Sequence, residues 1–113
     1  MLEKKGHSGL DKRRIIRNKK EIIDLLAKGT RFSCNEFVII YKPDSEPKVG
    51  FFASGKIRSA VKRNRVKRIL REAYRMNKEI FEGLKVIFYA HNLLDAENVL
   101  NGFASFRKER SNG

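Results

Sequence analysis

The chain has 113 residues, 41% of them hydrophobic, which suffices for one packed domain and leaves no room for a second core. Its 26 Lys+Arg against 13 Asp+Glu give a formal net charge of +13, and so basic a domain points to a polyanionic partner: nucleic acid, an anionic membrane surface or an acidic protein. Cys34, the single cysteine, excludes an internal disulfide and a multi-cysteine zinc site, and the two histidines, His7 and His91, stand far apart in no familiar ligand spacing.

Residues 1–14 are polar, include Gly6, Ser8 and Gly9, and read as a flexible basic arm with no apolar core of a signal peptide. Residues 15–113 read as a single domain. Asn18 followed by Glu21 resembles a capping pair that opens a helix. That helix carries Ile22, Ile23, Leu25 and Leu26 and stops at Gly29. The stretch EFVIIYK (36–42) reads as a strand with Phe37, Ile39 and Tyr41 on one face and Val38 and Ile40 on the other. Both prolines fall in KPDSEPK (42–48), a turn signal leading into a second strand, KVGFFAS (48–54), so an antiparallel pair is expected.

A corner at Ser54–Gly55 precedes the most charged stretch of the chain. A third strand, KVIFYAH (85–91), follows Gly83. A last helix starts near Asp95 and carries Ala96, Val99, Leu100, Phe103 and Phe106, with Gly102 as a weak point. The order α-β-β-α-β-α predicts an α+β fold, a small single-domain α/β sandwich. The longest apolar run is too short to span a bilayer, so a cytoplasmic protein with no membrane or disulfide partner is expected.

From Lys56 to Arg75 there are nine cations, Lys56, Arg58, Lys62, Arg63, Arg65, Lys67, Arg68, Arg71 and Arg75, and one acid, Glu72. At about 100° per residue, Val66, Ile69, Leu70, Ala73, Met76 and Ile80 fall within one arc. Asn64, Lys67, Arg68, Arg71, Arg75 and Lys78 fall opposite. A merely solvated face mixes signs at attractive spacings. This one stacks cations whose mutual repulsion opposes the helix by roughly a few tenths of a kcal/mol per pair. Arginine's planar fork suits phosphate oxygens, so a polyanion-binding face is the better reading. Ile57, Ala60 and Val61 point off the apolar arc, so either the helix begins at Ser59 as a cap or its first turn packs elsewhere.

A self-contained nuclease would need converging carboxylates or a His/Lys pair. Asp11, Glu21, Asp24, Glu36, Asp44, Glu46, Asp95 and Glu97 are scattered, and His91 stands alone at a strand end. A membrane-surface helix is disfavoured by an apolar side made of β-branched and small residues suited to a core. Cys34 reads as a small residue before a strand; Tyr74 and Tyr89 are both candidates to stack on bases, with packing the better reading for Tyr89.

The segment VGFFASGKIRSAVKRNRVKRILREAYR (49–75) resembles the signature of the bacterial ribonuclease P protein family. The matching positions are Val49, Gly50, Ser54, Lys56, Ala60, Val61, Arg63, Asn64, Arg65, Lys67, Arg68, Arg71 and Glu72. The likeness reaches upstream to Lys28-Gly29-Thr30 and Phe37-Val38 and weakens after about residue 90. The resemblance implies a left-handed β-α-β crossover through the basic helix, where general rules favour the right-handed form. It implies a protein subunit of an endoribonuclease that removes 5′ leaders from precursor tRNA. Ribonuclease P RNA and precursor tRNA would be its partners, with catalysis and Mg2+ residing on the RNA and no catalytic or metal-binding residue on this chain.

Carried over by position, the RNA-binding set is Lys56, Arg63, Asn64, Arg65, Lys67, Arg68 and Arg71. The leader cleft is Ile22, Leu26, Phe37, Ile40, Phe52 and Lys56. The chain departs from the family pattern at Gly55, Arg58 and Phe52, and has Ile22 and Leu26 where helix aromatics are usual. Leader binding would then rest on Phe52, Tyr41 and charge. The alternative is a general RNA-binding protein of ribosomal or nucleoid type.

Overall fold

Asn18 opens the first helix as its spacing with Glu21 predicts: its Oδ1 accepts the Lys20 N–H at 2.8 Å, and α1 runs Lys19–Lys28. The computed structural model describes residues 14–112 apart from residue 17, so His7 and the arm reading for residues 1–13 lie outside it. Gly29 ends α1, its N–H donating to the Leu25 carbonyl at 2.7 Å. Any side chain there would collide, since a Cβ would stand 2.6 Å from that carbonyl oxygen and 2.9 Å from Ile40 Cγ2.

Three strands follow: β1 (Thr30–Ser33), β2 (Phe37–Pro43) and β3 (Val49–Ala53). Then come α2 (Ala60–Met76), a 3-10 helix at Lys78–Phe81, β4 (Leu84–Ala90) and α3 (Ala96–Asn112). Gly83, with φ of 77°, makes the turn into β4 that other residues rarely adopt. The fold is α+β, but β1 raises the element order to α-β-β-β-α-β-α.

The sheet order is β1-β2-β4-β3, which overturns the expected pairing of β2 with β3. β4 lies between them, antiparallel to β2 (Ile39↔Phe88) and parallel to β3 (Phe51↔Phe88). The reason is burial on both faces: Leu84, Val86, Phe88 and Ala90 enter one core and Ile87 the other, so β4 gains most from a central position. The connection from β3 to its parallel neighbour β4 passes through α2, giving a β-α-β crossover.

The two faces of β2 alternate as read from the sequence. Phe37 and Ile39 join the main core under α2 and α3, while Ile40 joins a smaller one with Ile16, Leu25 and Ile87 under α1. Aromatic rings fill the main core edge to face: Phe81–Phe88 at 5.1 Å and Phe81–Phe103 at 4.9 Å between centroids. Gly102 is no weak point, because a Cβ there would lie 2.7 Å from Phe37 Cζ and 2.9 Å from Cys34 Sγ; its absence lets α3 approach β2. Leu100 and Met76, expected inside, are 47% and 71% exposed. The buried stripe of α3 runs through Val99, Phe103 and Phe106, and α2 ends at Met76.

Charge as well as apolar contact seats α1. Glu21 accepts from Lys85 at 3.0 Å and Lys48 at 3.2 Å, Lys85 also reaches Asp44 at 3.4 Å, and Asp24 pairs with Lys42 at 2.8 Å. The Lys85 ammonium, joined by Lys48, holds the Glu21 carboxyl below its ordinary range despite partial desolvation. A carboxylate depressed in the folded state stabilises the fold above its unfolded pKa, and that stabilisation disappears as pH falls through the folded value. Glu21→Gln is therefore expected to lower Tm near neutrality and to flatten the acid limb of stability below the ordinary value of 4.5. Thermal melts from about pH 3 to pH 7 check both; an unchanged acid limb would contradict them.

Candidate nucleic-acid interface

The turn after β3 is tied down before the basic helix starts. Ser54 donates its N–H to the Ala90 carbonyl at 2.8 Å, and its own carbonyl accepts from Ile57 N–H at 3.0 Å. Ser59 Oγ accepts the Lys62 N–H at 3.2 Å, so the helix begins with a Ser59 cap. Ile57, off the helical arc, is buried in the main core ahead of that cap.

Val66, Leu70, Ala73 and Tyr74 then bury one side of α2. Asn64, Arg65, Arg68 and Arg71 stand exposed on the other, with Lys67 half-buried between the two. Among the described residues the only ion pair on α2 is Arg75–Glu72 at 2.8 Å, so there the other α2 cations form no salt bridge, although Glu72 lines the same groove as Lys67, Arg68 and Arg71. The Arg71 guanidinium lies 5.7 Å from the Phe51 ring centroid, which fixes its stem against β3. Arg63 differs from the rest: it is half-buried, and its guanidinium donates back to the Ile57 carbonyl.

A groove of about 600 Å³ runs between α2 and β3, lined by Gly50, Phe52, Lys67, Arg68, Arg71 and Ile16. It leads round the outer edge of β3 to the sheet face that α1 partly covers. There β2, β4 and β3 bring Val38, Tyr89 and Phe52 into one row. Tyr89 is 37% exposed and Phe52 half-buried, an aromatic surface beside α1.

The predicted cleft set divides. Ile22 and Phe52 pack on the smaller core, Leu26 is exposed on α1, and Lys56 is exposed on the turn after β3. Ile40 is nearly sealed under Leu25 and Gly29 and forms the floor rather than a wall. Phe37 is excluded: it is fully buried on the opposite face, 6.2 Å from the Phe103 ring. Strand alternation already places residues 37 and 40 on opposite faces, so one cleft cannot hold both. Tyr41 also faces the main core, edge-on to Phe106 at 5.0 Å. Tyr89 takes its place, correcting the packing reading, and its parity between buried Phe88 and Ala90 is the signal that marks it.

Nothing in this surface gathers acid–base groups. Among the described residues no cluster of three or more His, Cys, Asp or Glu side chains could hold a metal ion. Burial beside α3 pushes the Cys34 thiol up to about 11, which keeps it protonated near neutral pH. No helix among the described residues is long and apolar enough to cross a membrane. What the surface does present is exposed cations on α2 beside the part-exposed rings of Phe52 and Tyr89.

The family model described as Ribonuclease P matches residues 10–108. This chain belongs to the ribonuclease P protein family. A ribonuclease P protein component from Pelotomaculum thermopropionicum is 62% identical over 42 residues, covering 36% of this chain and 38% of that protein. One from Nitratiruptor sp. is 37% identical over 59 residues, covering 52% and 54%. The chain thus spans about half or less of the length of these two relatives. The solved ribonuclease P protein of Staphylococcus aureus shares the fold, with a TM-score of 0.75 at 22% identity over 88% of this chain and 96% of that one. The α2 motif and the sheet that carries it are thus those of a ribonuclease P protein.

Proposed function

We propose that this chain is the protein subunit of a cytoplasmic ribonuclease P. It binds the catalytic RNA through α2 and the 5′ leader of precursor tRNA along the sheet face, and so promotes endonucleolytic removal of the leader. The observation that supports this reading is the groove that joins the exposed cations Arg68 and Arg71 to Phe52. A single strand leaving the cation-lined helix α2 can there lay its bases against aromatic rings.

The physical contribution is electrostatic. Cations neutralise phosphates and release counterions, and for roughly six contacts the log–log salt slope is on the order of −4 to −5. Exposed Asn64 adds a directional hydrogen bond to a base or 2′-hydroxyl. Screening between two RNAs lowers the Mg2+ needed for substrate binding. The Mg2+ and the bond-breaking step belong to the RNA partner in this proposal.

The test is cleavage of a leader-bearing precursor tRNA at low Mg2+ by ribonuclease P RNA alone, by this protein alone, and by both. Cleavage only in the mixture is expected. Cleavage by the protein alone would place the chemistry on this chain. Failure to stimulate a functional matching RNA would leave a general RNA-binding protein.

A further inference from the structure

We propose that Arg63, the first residue of the Arg-Asn-Arg motif, is a positioning residue that acts through Lys56 instead of holding a phosphate of its own. Three observations carry this. Arg63 precedes Val66 by three residues and Leu70 by seven, which puts it on the buried stripe of α2, and it is half-buried there. Its guanidinium Nη1 donates to the carbonyl of Ile57, six residues back, and no carboxylate among the described residues pairs with it. Arg65 and Arg68, in contrast, stand exposed on the outer side of the same helix.

The Ile57 carbonyl is one anchor of the turn that carries Lys56. At the other end, Ser54 is buried and fastened to β4 through the Ala90 carbonyl at 2.8 Å. Between the anchors, the Lys56 N–H donates to Ser54 Oγ at 3.1 Å and the Ile57 side chain is plugged into the main core. Lys56 is therefore presented from a corner closed on both sides, and Arg63 closes the side next to α2. Without the guanidinium, the Ile57 carbonyl loses its charged donor and Lys56 is free to leave the line of cations.

The inference rests on the reading of Lys56 as an RNA contact, so the test separates the two. Binding of the full chain to ribonuclease P RNA is measured against salt for wild type, Lys56→Ala, Arg63→Ala, Arg65→Ala and the doubles that combine Lys56→Ala with each arginine variant. Arg63→Met, which keeps the stripe filled, replaces Arg63→Ala if the latter does not fold. Arg63→Ala or Arg63→Met is expected to weaken binding by about tenfold in the wild-type background and by less than about twofold beside Lys56→Ala. Arg65→Ala is expected to weaken binding by the same factor in both backgrounds. The salt slope should fall by about 0.7–0.9 for Lys56→Ala or the Arg63 variant, and no further for their double. A purely structural loss would lower the melting temperature without this coupling to Lys56. If the Arg63 variant has its full effect beside Lys56→Ala, or if Lys56→Ala has no effect, Arg63 does not act through Lys56. If Lys56, Arg65 and Arg63 variants all bind normally, the RNA-binding reading of α2 falls with it.

Discussion

Replacing Arg65 and Arg68 together with alanine is expected to weaken RNA binding by about 25- to 100-fold near physiological salt and to leave the fold intact. Both side chains are exposed and neither has a carboxylate partner among the described residues, so their charges are available to phosphates. A hydrogen bond from a charged group contributes roughly 1.5–3 kcal/mol when shielded, and solvent screening at this exposed helix brings that nearer about 1 kcal/mol each. The loss should be steepest at low salt, with the log–log slope flattening by about 1.4–1.8 for two phosphates released. Arg65 and Arg68, and Arg68 and Arg71, lie three residues apart and repel one another. Their removal should therefore raise the melting temperature slightly. A fall in stability equal to the fall in binding would show that these residues support the fold and do not contact RNA.

How much of this was legible in the sequence differs by element. α1 was readable to the residue, because Asn18 and Gly29 act locally: a cap oxygen over the first turn, and a glycine where Leu25 and Ile40 leave no room for a Cβ. The faces of β2 were readable for the same reason, since alternation needs no partner. β1 was not: Thr-Arg-Phe-Ser offers one apolar residue, and it is a strand because Phe32 pairs with Ile39 across the hairpin. The place of β4 between β2 and β3 was also out of reach, since it is decided by burial on both faces of a strand far along the chain.

The candidate site followed the same division. The cationic face of α2 was legible because helical periodicity sorts Asn64, Arg68 and Arg71 from Val66 and Leu70 without knowledge of the sheet. The motif by itself could not distinguish Arg63 from Arg65, whose surroundings differ: Arg63 is half-buried and bonded to the Ile57 carbonyl, and Arg65 is exposed. The aromatic row was invisible in full, because Val38, Tyr89 and Phe52 become neighbours only through the registers of β2 and β3 against β4. Phe37 was assigned to the cleft by resemblance, against its own strand parity. Where positional carry-over and alternation disagreed, alternation was right.

The aromatic row also supports the second large prediction. Phe52→Ala combined with Tyr89→Ala is expected to weaken binding of a precursor tRNA with a single-stranded leader, while binding of leaderless tRNA to the same holoenzyme stays unchanged. Base stacking on an aromatic side chain is worth about 1–3 kcal/mol per base, so each ring accounts for about 5- to 150-fold in affinity. Gly50, two residues before Phe52 on the same face of β3, explains how that ring lies. A Cβ at Gly50 would stand 2.7 Å from Phe52 Cε2, so the ring rests over the glycine, close against the strand. Gly50→Ala should therefore displace the ring and lower leader affinity by a smaller factor than Phe52→Ala, although it removes no contact atom. Tyr89→Phe should retain nearly all affinity, since stacking needs the ring and not the hydroxyl. Measured with leaders of increasing length, the difference between wild type and the double variant should appear only once the leader is long enough to pass Arg68 and reach the sheet. Equal weakening of leaderless tRNA would assign these rings to general support of the interface, with the leader bound elsewhere on α2.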